Sequence, residues 1–421
     1  MSATSGDAMR NGVSSPPRTV VTRSSLICSS GKDKYTFDSE RAILPIRSVD
    51  LQTIETPAED HESSSSSSVV KRDSVVRRLD VHHSVRVDGR FRNPWTTWTP
   101  PSFANILKFG LARDRSRVPP KEDLDLALPM VRPDFRAPPA DALSLTWLGH
   151  STLVARFDGI SLISDPMFSD RASPSQAVGP KRYRAPPCSV HDLPSDLDAV
   201  VISHAHYDHL DRNSVTLLNA RFGSDLRWFV PLGLADWMSG VGVENVVELD
   251  WWEENCVSDK SDVSFVFTPT QHWSQRTLTD DGHVLWGSWA VVGPTHRFFF
   301  AGDTAYCDVF RQIGRMYGPF TAAAIPIGAY EPRWFMRQQH VEPAEAVRIH
   351  QDIASRFSLA IHWGTFALAN EYFLDPPMKL RAALESAHLE ANSFATFLHG
   401  ETRLVYRDGR VERSKTKDFI L

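Results

Sequence analysis

The chain of 421 residues exceeds the about 100 to 200 residues of a typical domain, so it has room for two domains or for one large α/β domain with an appendage. With 42% hydrophobic and 23% charged residues it cannot be disordered throughout. The 46 basic and 51 acidic residues, a net charge of -5, exclude a generally basic nucleic-acid binder. The four cysteines contain no CxxC pair, which argues against a disulfide framework or a thiolate zinc site and suits a reducing compartment.

The sequence lacks the pattern of a membrane-spanning segment. It contains no run of about 18 or more apolar residues, and its beginning lacks the continuous apolar stretch of a signal peptide. Any contact with a membrane would therefore be peripheral. Residues 1–85 are rich in Ser, Thr, Pro and charge and include six consecutive serines at 63–68, so we predict a disordered tail before a folded domain of residues 86–421.

A segment rich in Trp and Phe opens the folded domain, at about residues 91–115. Its apolar residues recur at helical spacing and basic residues follow them. Such a segment either lies at a membrane interface, with rings among lipid headgroups, or packs on the rest of the domain. Residues 330–337 pose the same choice. In the first segment the residues concerned are Trp95, Trp98, Phe103, Ile106, Leu107, Lys108, Phe109, Arg113 and Arg115.

From residue 143 onward, short β-type runs alternate with turns, and helical patterns lie between the later runs. Several runs are wholly apolar, which predicts strands that are buried on both faces. The clearest helix begins at Pro343, and its apolar stripe consists of Ala346, Ile349, Ile353 and Phe357. These patterns predict an α/β fold with layers of helix, sheet, sheet and helix. The predicted strands are residues 143–148, 152–157, 160–163, 198–202, 226–230, 263–268, 283–292, 297–300, 322–327 and 359–363.

The most informative motif is H-x-H-x-D-H at residues 204–209, directly after the apolar run 198–202. Four ligand-type side chains lie close together where a buried strand ends and alternate side chains can converge. Burying three imidazoles and a carboxylate without a metal would leave polar groups that each cost roughly 1–3 kcal/mol. The motif therefore favours metal ligation. His204 and His206 could face one ion, with Asp208 and His209 turned to a second.

Three further ligand-type residues stand alone, each after an apolar run: His272, Asp303 and His362. A lone His beside a strand is typical of a hydrogen-bonded core or surface residue, but strand ends at one edge of a sheet bring remote residues together. Together the seven residues comprise five imidazoles and two carboxylates, which suit zinc, iron or manganese. They suffice for two ions when one carboxylate bridges, and Asp303, central in the order, is the expected bridge.

The motifs and their surroundings resemble the metallo-β-lactamase superfamily, and within it the family of phospholipases D that hydrolyse N-acylphosphatidylethanolamine. The resemblance spans about residues 86–400 and leaves the tail unmatched. It rests on residues 89–95, 173–176, 179–182, 202–210, 285–289, 298–303, 325–335 and 361–370.

The resemblance implies an αββα sandwich with two zinc ions. It also implies a homodimer, for which the resemblance is the sole basis. One ion would be held by His204, His206 and His272, and the other by Asp208, His209 and His362, with Asp303 bridging. Three residues, Gln176, Tyr207 and His340, would line the site of the substrate phosphate. From the residues alone, Tyr207 equally suits packing, and His340 equally suits a cap of the helix that begins at Pro343.

The reaction that the resemblance implies is hydrolysis of N-acylphosphatidylethanolamine at the distal phosphodiester bond, which yields an N-acylethanolamine and phosphatidic acid. Two zinc ions would lower the pKa of a shared water toward neutrality, so that metal-bound hydroxide attacks phosphorus and no protein nucleophile is needed. The absence of a clear G-x-S-x-G or Cys-His pattern agrees with this. Asp208 and Asp303 would act in catalysis through the metals, and His340 is the candidate proton donor for the leaving alkoxide.

Two other interpretations are compatible with the same motif, because it specifies metals rather than a substrate. The chain could hydrolyse another phosphodiester, an ester or a lactam, or it could be a non-catalytic, lipid-binding member of the fold. On the principal interpretation its partners are a phospholipid and a membrane surface, without nucleic acid. Its expected location is then the cytoplasmic side of an intracellular membrane.

Overall fold

Two mixed β-sheets form the centre of the folded domain. The computed structural model describes residues 81–114 and 120–414. The predicted tail lies outside the described residues except for 81–85, and Arg115 lies outside them as well. The strand nearest to the predicted boundary begins at Val85.

The strands are β1 (Val85–Val87), β2 (Arg90–Arg92), β3 (Ala142–Gly149), β4 (Thr152–Phe157), β5 (Ile160–Ser164), β6 (Ala199–Val201), β7 (Arg227–Pro231), β8 (Val246–Leu249), β9 (Glu254–Val257), β10 (Lys260–Thr268), β11 (Ser288–Val292), β12 (Arg297–Phe300), β13 (Ala322–Pro326), β14 (Ser358–Ile361), β15 (Phe394–Ala395), β16 (Thr402–Tyr406) and β17 (Val411–Arg413). The α-helices are α1 (Phe103–Leu111), α2 (Lys121–Ala127), α3 (Arg212–Phe222), α4 (Ala235–Gly240), α5 (Val309–Tyr317), α6 (Arg333–Met336), α7 (Pro343–Asp352) and α8 (Asp375–Ser386).

The strand order places several loops at the same edge of each sheet. Within the described residues, the first sheet has the order β17-β16-β3-β4-β5-β6-β7-β8, and the second has the order β15-β14-β13-β12-β11-β10-β9. Strands β5 to β8 are parallel to one another, and so are β12 to β15. The carboxyl ends of parallel strands meet at one edge of a sheet. The loops after β5 and β6 are therefore neighbours, and so are those after β12, β13 and β14.

Alternate side chains of the first sheet point into two separate cores. Phe229 lies in the core between the sheets, where its ring stacks on Phe265 of the second sheet at 4.2 Å. Its neighbour Trp228 points the other way, into a core that includes Val215 of α3 and Met238 of α4. Helices α5, α7 and α8 contribute to the core that contains the second sheet. The predicted layers of helix, sheet, sheet and helix are confirmed.

The helix predicted from Pro343 is present as α7. Glu342 and Glu345 form a capping box at its start, and Pro343 occupies the first turn. The predicted stripe is buried throughout, but Phe357 lies beyond the end of the helix. Phe357 therefore reaches the core from the connection to β14 rather than from the helix.

One predicted strand, residues 283–292, is shorter in the structure and begins only at Ser288. The backbone before it bonds to loops of the other sheet: the Leu285 N–H donates to the Leu232 carbonyl at 2.9 Å, and the Gly287 N–H to the Ser203 carbonyl at 3.0 Å. A Cβ at Gly287 would lie 2.6 Å from the carbonyl oxygen of Thr268. This close approach requires glycine and excludes a regular strand here.

The Trp-rich segment has a buried part and an exposed part. Trp95 is only 9% exposed, and its indole N–H donates to the Thr270 carbonyl at 2.9 Å, so this residue belongs to the core. Helix α1, by contrast, has no buried residue, and Phe103 and Leu111 are 80% and 81% exposed. Helical periodicity alone could not separate these cases. No helix of the described ranges has the length and apolar character that crossing a bilayer requires.

Two buried histidines outside the ligand-type residues make stability depend on pH. Burial lowers the pKa of His350 to about 4, and burial with the charges of Arg184 and Arg182 lowers that of His399 to about 3. An unfolded histidine titrates near about 6.5, so below that pH the unfolded chain takes up protons that the folded chain excludes. We expect the free energy of unfolding to fall as the pH drops from about 6.5 to about 4.

Replacement of His350 by Gln should remove roughly 2 kcal/mol of this loss between pH 6.5 and 5, measured by urea unfolding at both pH values. His191→Gln, at an exposed position, is the matched control and should leave the pH dependence unchanged. Identical slopes for the wild type and both variants would contradict the assignment.

Candidate metal centre

The H-x-H-x-D-H loop lies in the short connection between the end of β6 and the start of α3. The His206 carbonyl accepts from the His209 and Leu210 N–H groups at 3.1 and 2.8 Å, which folds the loop into a tight turn. Asp211 then caps α3 through the backbone N–H groups of Asn213 and Ser214. Because strand end and helix start are both fixed, the ligand-type side chains of the loop converge at the sheet edge.

A first group of potential ligands consists of His204, His206 and His272. One nitrogen from each lies within 4.8 Å of the others. The His272 ring approaches from the loop after β10, and its Nδ1–H donates to the Gln339 carbonyl at 2.8 Å. The His204 Nδ1 contacts the Ser203 hydroxyl oxygen at 2.8 Å. With Nδ1 engaged, both rings present Nε2 to the group.

A second group consists of Asp208, His209 and His362, joined by His150. The Asp208 Oδ2 lies 3.3 Å from His209 Nε2 and 3.5 Å from His362 Nε2. Buried Asp165 accepts from His209 Nδ1 at 2.7 Å and from the Ser203 hydroxyl at 2.5 Å. Asp165 thus orients a histidine of the second group directly and His204 of the first through Ser203.

Asp303 lies between the two groups. Its Oδ2 is 3.1 Å from the Nε2 atoms of His209 and His362, and 3.9 Å from those of His204 and His272. It follows β12 after Gly302, whose φ is +59° and where a Cβ would meet the Ser203 Cβ at 2.5 Å. Glycine at this position lets the end of the second sheet approach the loop of the first.

The buried polar atoms of the centre fit a metal. Several lack a hydrogen-bond partner among the described residues, and such an atom costs about 1–3 kcal/mol when it is left uncompensated. A divalent cation would satisfy nitrogen and oxygen donors of this kind without a thiolate. The unpartnered atoms are Nε2 of His204, His206 and His209, both ring nitrogens of His362, Nδ1 of His340 and Oδ1 of Asp303.

The pKa values of the histidines in the centre reflect the negative charge of the neighbouring carboxylates. Burial, and then the neighbouring His272, lower the pKa of His206 to about 3. At His209 and His362 burial acts in the same direction, but nearby carboxylates, Asp303 foremost, outweigh it. They raise the pKa of His209 well above its usual value and that of His362 to about 9. A bound cation would supply the positive charge that the carboxylates otherwise draw onto these rings as protons.

Comparison with known proteins places the chain in a family. The family model described as a beta-lactamase superfamily domain matches residues 162–363, which include all seven predicted ligands. The N-acyl-phosphatidylethanolamine-hydrolyzing phospholipase D 1 of Caenorhabditis elegans is 43% identical over 328 residues, covering 74% of this chain and 91% of that protein. The chain belongs to the N-acylphosphatidylethanolamine-hydrolysing phospholipase D family.

Other relatives of this member of the phospholipase D family match a smaller share of the chain. The mitochondrial N-acyl-phosphatidylethanolamine-hydrolyzing phospholipase D of Saccharomyces cerevisiae is 37% identical over 247 residues, covering 57% of this chain and 51% of that protein. An uncharacterized protein of Mycobacterium tuberculosis is 41% identical over 267 residues, covering 62% of this chain and 69% of its own. The family resemblance expected from the sequence is confirmed.

The three residues predicted to line the phosphate site of this phospholipase D family have different surroundings. The His340 ring lies 5.2 Å from the rings of both His272 and His362, at the centre. The Tyr207 hydroxyl instead donates to the Arg276 carbonyl at 2.9 Å, which is a hydrogen bond within the protein. Gln176 is exposed and exchanges two hydrogen bonds of 3.0 Å with the backbone of Arg171. Substrate binding by any of the three stays a prediction.

Three residues of the centre were not predicted from the sequence: His150, Asp165 and Arg276. The first two follow β3 and β5 directly, which is the same signal that identified Asp303 and His362. Arg276 left no such signal, because it acts on backbone carbonyls. Its Nη1 donates to the carbonyls of Ala205 and Leu210 at 2.9 and 2.8 Å, and its guanidinium lies over the Tyr207 ring at 4.2 Å.

We expect Arg276→Met to loosen the ligand loop. Two carbonyls lose their donor, at about 1–3 kcal/mol each where they stay dry, and metal affinity should fall roughly tenfold or more. Zinc competition against a chelator and thermal unfolding measure the two effects. Arg221 is the matched control, since it likewise bonds two carbonyls, those of Val190 and Leu193. Arg221→Met should lower stability only, and equal loss of metal affinity in both variants would refute a specific role for Arg276.

Proposed function

We propose that this chain is a metal-dependent phospholipase D that hydrolyses N-acylphosphatidylethanolamine at its distal phosphodiester bond. The observation that carries the proposal is the convergence of seven ligand-type side chains in a chain with the family relationship described above. The products would be an N-acylethanolamine and phosphatidic acid. Membership of the family supports the substrate class, and the centre supports hydrolysis.

We propose zinc as the metal and two ions per chain. His204, His206 and His272 would hold one ion, and Asp208, His209 and His362 the other. Asp303, within 3.9 Å of nitrogens from both groups, would be shared. Nitrogen and carboxylate donors in sets of three or four, without sulfur, suit catalytic zinc. When bound, such ions lower the pKa of an attacking water and neutralise phosphoryl oxygens.

A side chain of the protein would supply the proton that the leaving group needs. In the reaction water adds to phosphorus, the bond from phosphorus to the ethanolamine oxygen breaks, and that oxygen takes up a proton. We propose His340 as the donor of this proton. Its backbone is held on both sides, since its N–H donates to the Met336 carbonyl at 2.8 Å and its carbonyl accepts from Arg333 Nη1 at 2.9 Å.

We also propose that one surface contacts the membrane, and we call it the α1 face: Phe103, Ile106, Leu107, Leu111 and Trp334. Helix α1 is attached to the domain by the stacking of Phe109 on Phe335 at 4.5 Å, which leaves these side chains exposed. Lys108 lies over the Trp334 ring at 4.5 Å and adds a basic group for lipid phosphates.

One residue of the α1 face, Trp334, belongs to α6, which ends at Met336, and the Met336 carbonyl accepts from the His340 N–H. The α1 face is thus connected to the proposed proton donor through α6. We place the contact on the cytoplasmic side of an intracellular membrane, a proposal that cell fractionation tests. The homodimer implied by the resemblance stays a prediction, which sedimentation of the purified chain tests.

Headgroup release from vesicles tests the proposed function. N-acylphosphatidylethanolamine should be hydrolysed much faster than ordinary phosphatidylethanolamine, and a chelator followed by added zinc should abolish and restore the activity. Asp208→Asn should be inactive yet retain its circular-dichroism spectrum, because the sheets pack on apolar cores that the ligand side chains do not form. Loss of that spectrum would mean that the metal is structural.

Two results would contradict the proposal in different ways. Equal rates on both lipids, or activity only on an unrelated ester, would leave a metal-dependent hydrolase of another substrate. Intact protein with well under one zinc per chain and no hydrolysis would favour a non-catalytic lipid-binding member of the fold.

A further inference from the structure

His150 lies at the end of β3 in an unusual backbone conformation. Its φ is +52°, in the left-handed region that non-glycine residues seldom adopt, and the residue is only 2% exposed. Hydrogen bonds hold this conformation on both sides. The His150 N–H donates to the Thr365 hydroxyl at 2.8 Å, and its carbonyl accepts from the Trp147 indole N–H at 3.0 Å. Such strain persists only where the surroundings determine it, and it is concentrated at functional sites.

The same carbonyl of His150 also accepts from the backbone N–H of His362, at 3.0 Å. His362 has a left-handed backbone as well, with φ of +60°. The two residues come from different sheets, since β3 is in the first and β14 in the second. The hydrogen bond therefore fixes a proposed ligand of the second sheet directly to the end of a strand in the first.

The side chain of His150 contacts a second proposed ligand. Its Nε2 lies 2.9 Å from Oδ2 of Asp208, which is the shortest of the three histidine contacts with that oxygen. The His209 and His362 nitrogens lie 3.3 and 3.5 Å away. An imidazole N–H that donates to a carboxylate restricts rotation of the carboxylate about its Cβ–Cγ bond.

We infer that His150 is a positioning residue for the second metal group: its side chain orients the Asp208 carboxylate and its backbone orients His362. The inference rests on the proposed function, because it concerns the ion that Asp208, His209 and His362 would hold. His150 acts through these residues. The alternative role, as a further ligand of the ion itself, requires the same nitrogen to face the metal rather than Asp208.

Two substitutions that differ by one methylene separate the roles. Glutamine at position 150 carries an amide N–H that reaches Asp208, whereas asparagine tolerates the left-handed backbone but is too short to reach. Positioning predicts that His150→Gln keeps most of the function and that His150→Asn loses it. His350→Asn is the matched control, because His350 is also buried and bonds a neighbouring side chain, Ser358, at 2.8 Å.

The primary measurement is zinc stoichiometry across a series of chelator-buffered free zinc concentrations, which needs no lipid. In His150→Asn one of the two ions should require roughly 10- to 100-fold more free zinc, whereas the other ion should bind as in the wild type. In His150→Gln the shift should stay within a few fold, and in His350→Asn no shift is expected. Thermal unfolding with excess chelator reports whether each variant folds without metal.

Three outcomes would overturn the inference. The first is unchanged zinc binding in His150→Asn. The second is a loss of zinc binding in His150→Gln as complete as in His150→Asn, which would make His150 a ligand. The third is a wild type that binds no zinc. If His150→Asn does not fold, His150→Phe, which has an aromatic ring without nitrogen, takes its place with the same expected shift. Failure of the proposed function is separate, since it would appear as normal zinc binding without hydrolysis of N-acylphosphatidylethanolamine.

Discussion

Purified Asp303→Asn protein is expected to lose most of both bound ions and nearly all phosphodiesterase activity. The reason is the position of the carboxylate, with one oxygen within 3.1–3.9 Å of nitrogens from both metal groups. The amide of asparagine carries no charge, so it cannot balance the two cations that the Asp303 carboxylate would share. A change confined to one group, such as His206→Ala or His362→Ala, should cost one ion more than the other.

Elemental analysis of the Asp303→Asn protein gives the number of ions directly. Asp308→Asn is the control, because Asp308 lies five residues further on and its side chain is 81% exposed. The control should retain wild-type metal content and activity. If Asp303→Asn retained both ions, Asp303 would not be shared between them, although loss of activity alone would leave a catalytic role.

Trp95→Ala and the pair Phe103→Ala with Leu111→Ala are expected to have opposite effects. Truncation of buried Trp95 leaves a cavity and removes one of the two indole donors to the Thr270 carbonyl, so the loss of stability should be about 3–5 kcal/mol. Protein that remains folded should bind vesicles normally. The exposed pair should leave the melting temperature nearly unchanged but remove about 3 kcal/mol of membrane partitioning, or roughly a hundredfold in affinity.

Liposome sedimentation and kinetics on two substrates distinguish these effects. The exposed pair should raise the apparent KM for vesicle lipid and leave hydrolysis of a water-soluble phosphodiester unchanged. Met378→Ala, at a position 66% exposed on α8, is the control for removal of an exposed apolar side chain. Normal vesicle binding by the pair would refute the membrane role of the α1 face.

Much of the fold could be predicted because its signals are local. Apolar runs identified most strands of both sheets, and Pro343 with an apolar stripe identified α7. Five strands of these sheets, β8, β9 and β15 to β17, were not predicted, and two other exceptions have non-local causes. Residues 283–287 have the sequence pattern of a strand, but their backbone bonds to loops of the other sheet. The Trp-rich segment has a single helical periodicity, yet Trp95 is buried and Phe103 is exposed.

The centre was predictable to the same extent. Ligand-type residues at strand ends form a recognisable pattern, so the structure brings together every one that was predicted. His150 and Asp165 obey the same pattern, but a single His or Asp after a strand is common without a metal. Arg276 could not be found from sequence, because its partners are carbonyls that every residue possesses.

The pairing of β16 with β3 constrains the order in which a newly made chain can mature. Every proposed ligand precedes residue 363, yet β3, which is buried along its whole length, receives one of its two neighbours only from Thr402–Tyr406. A nascent chain that ends before β16 would possess all the ligands and still expose the β3 backbone as an open edge, a template for aggregation. A chain that terminates near residue 400 is therefore expected to aggregate or to be retained by chaperones, even though it carries every proposed ligand.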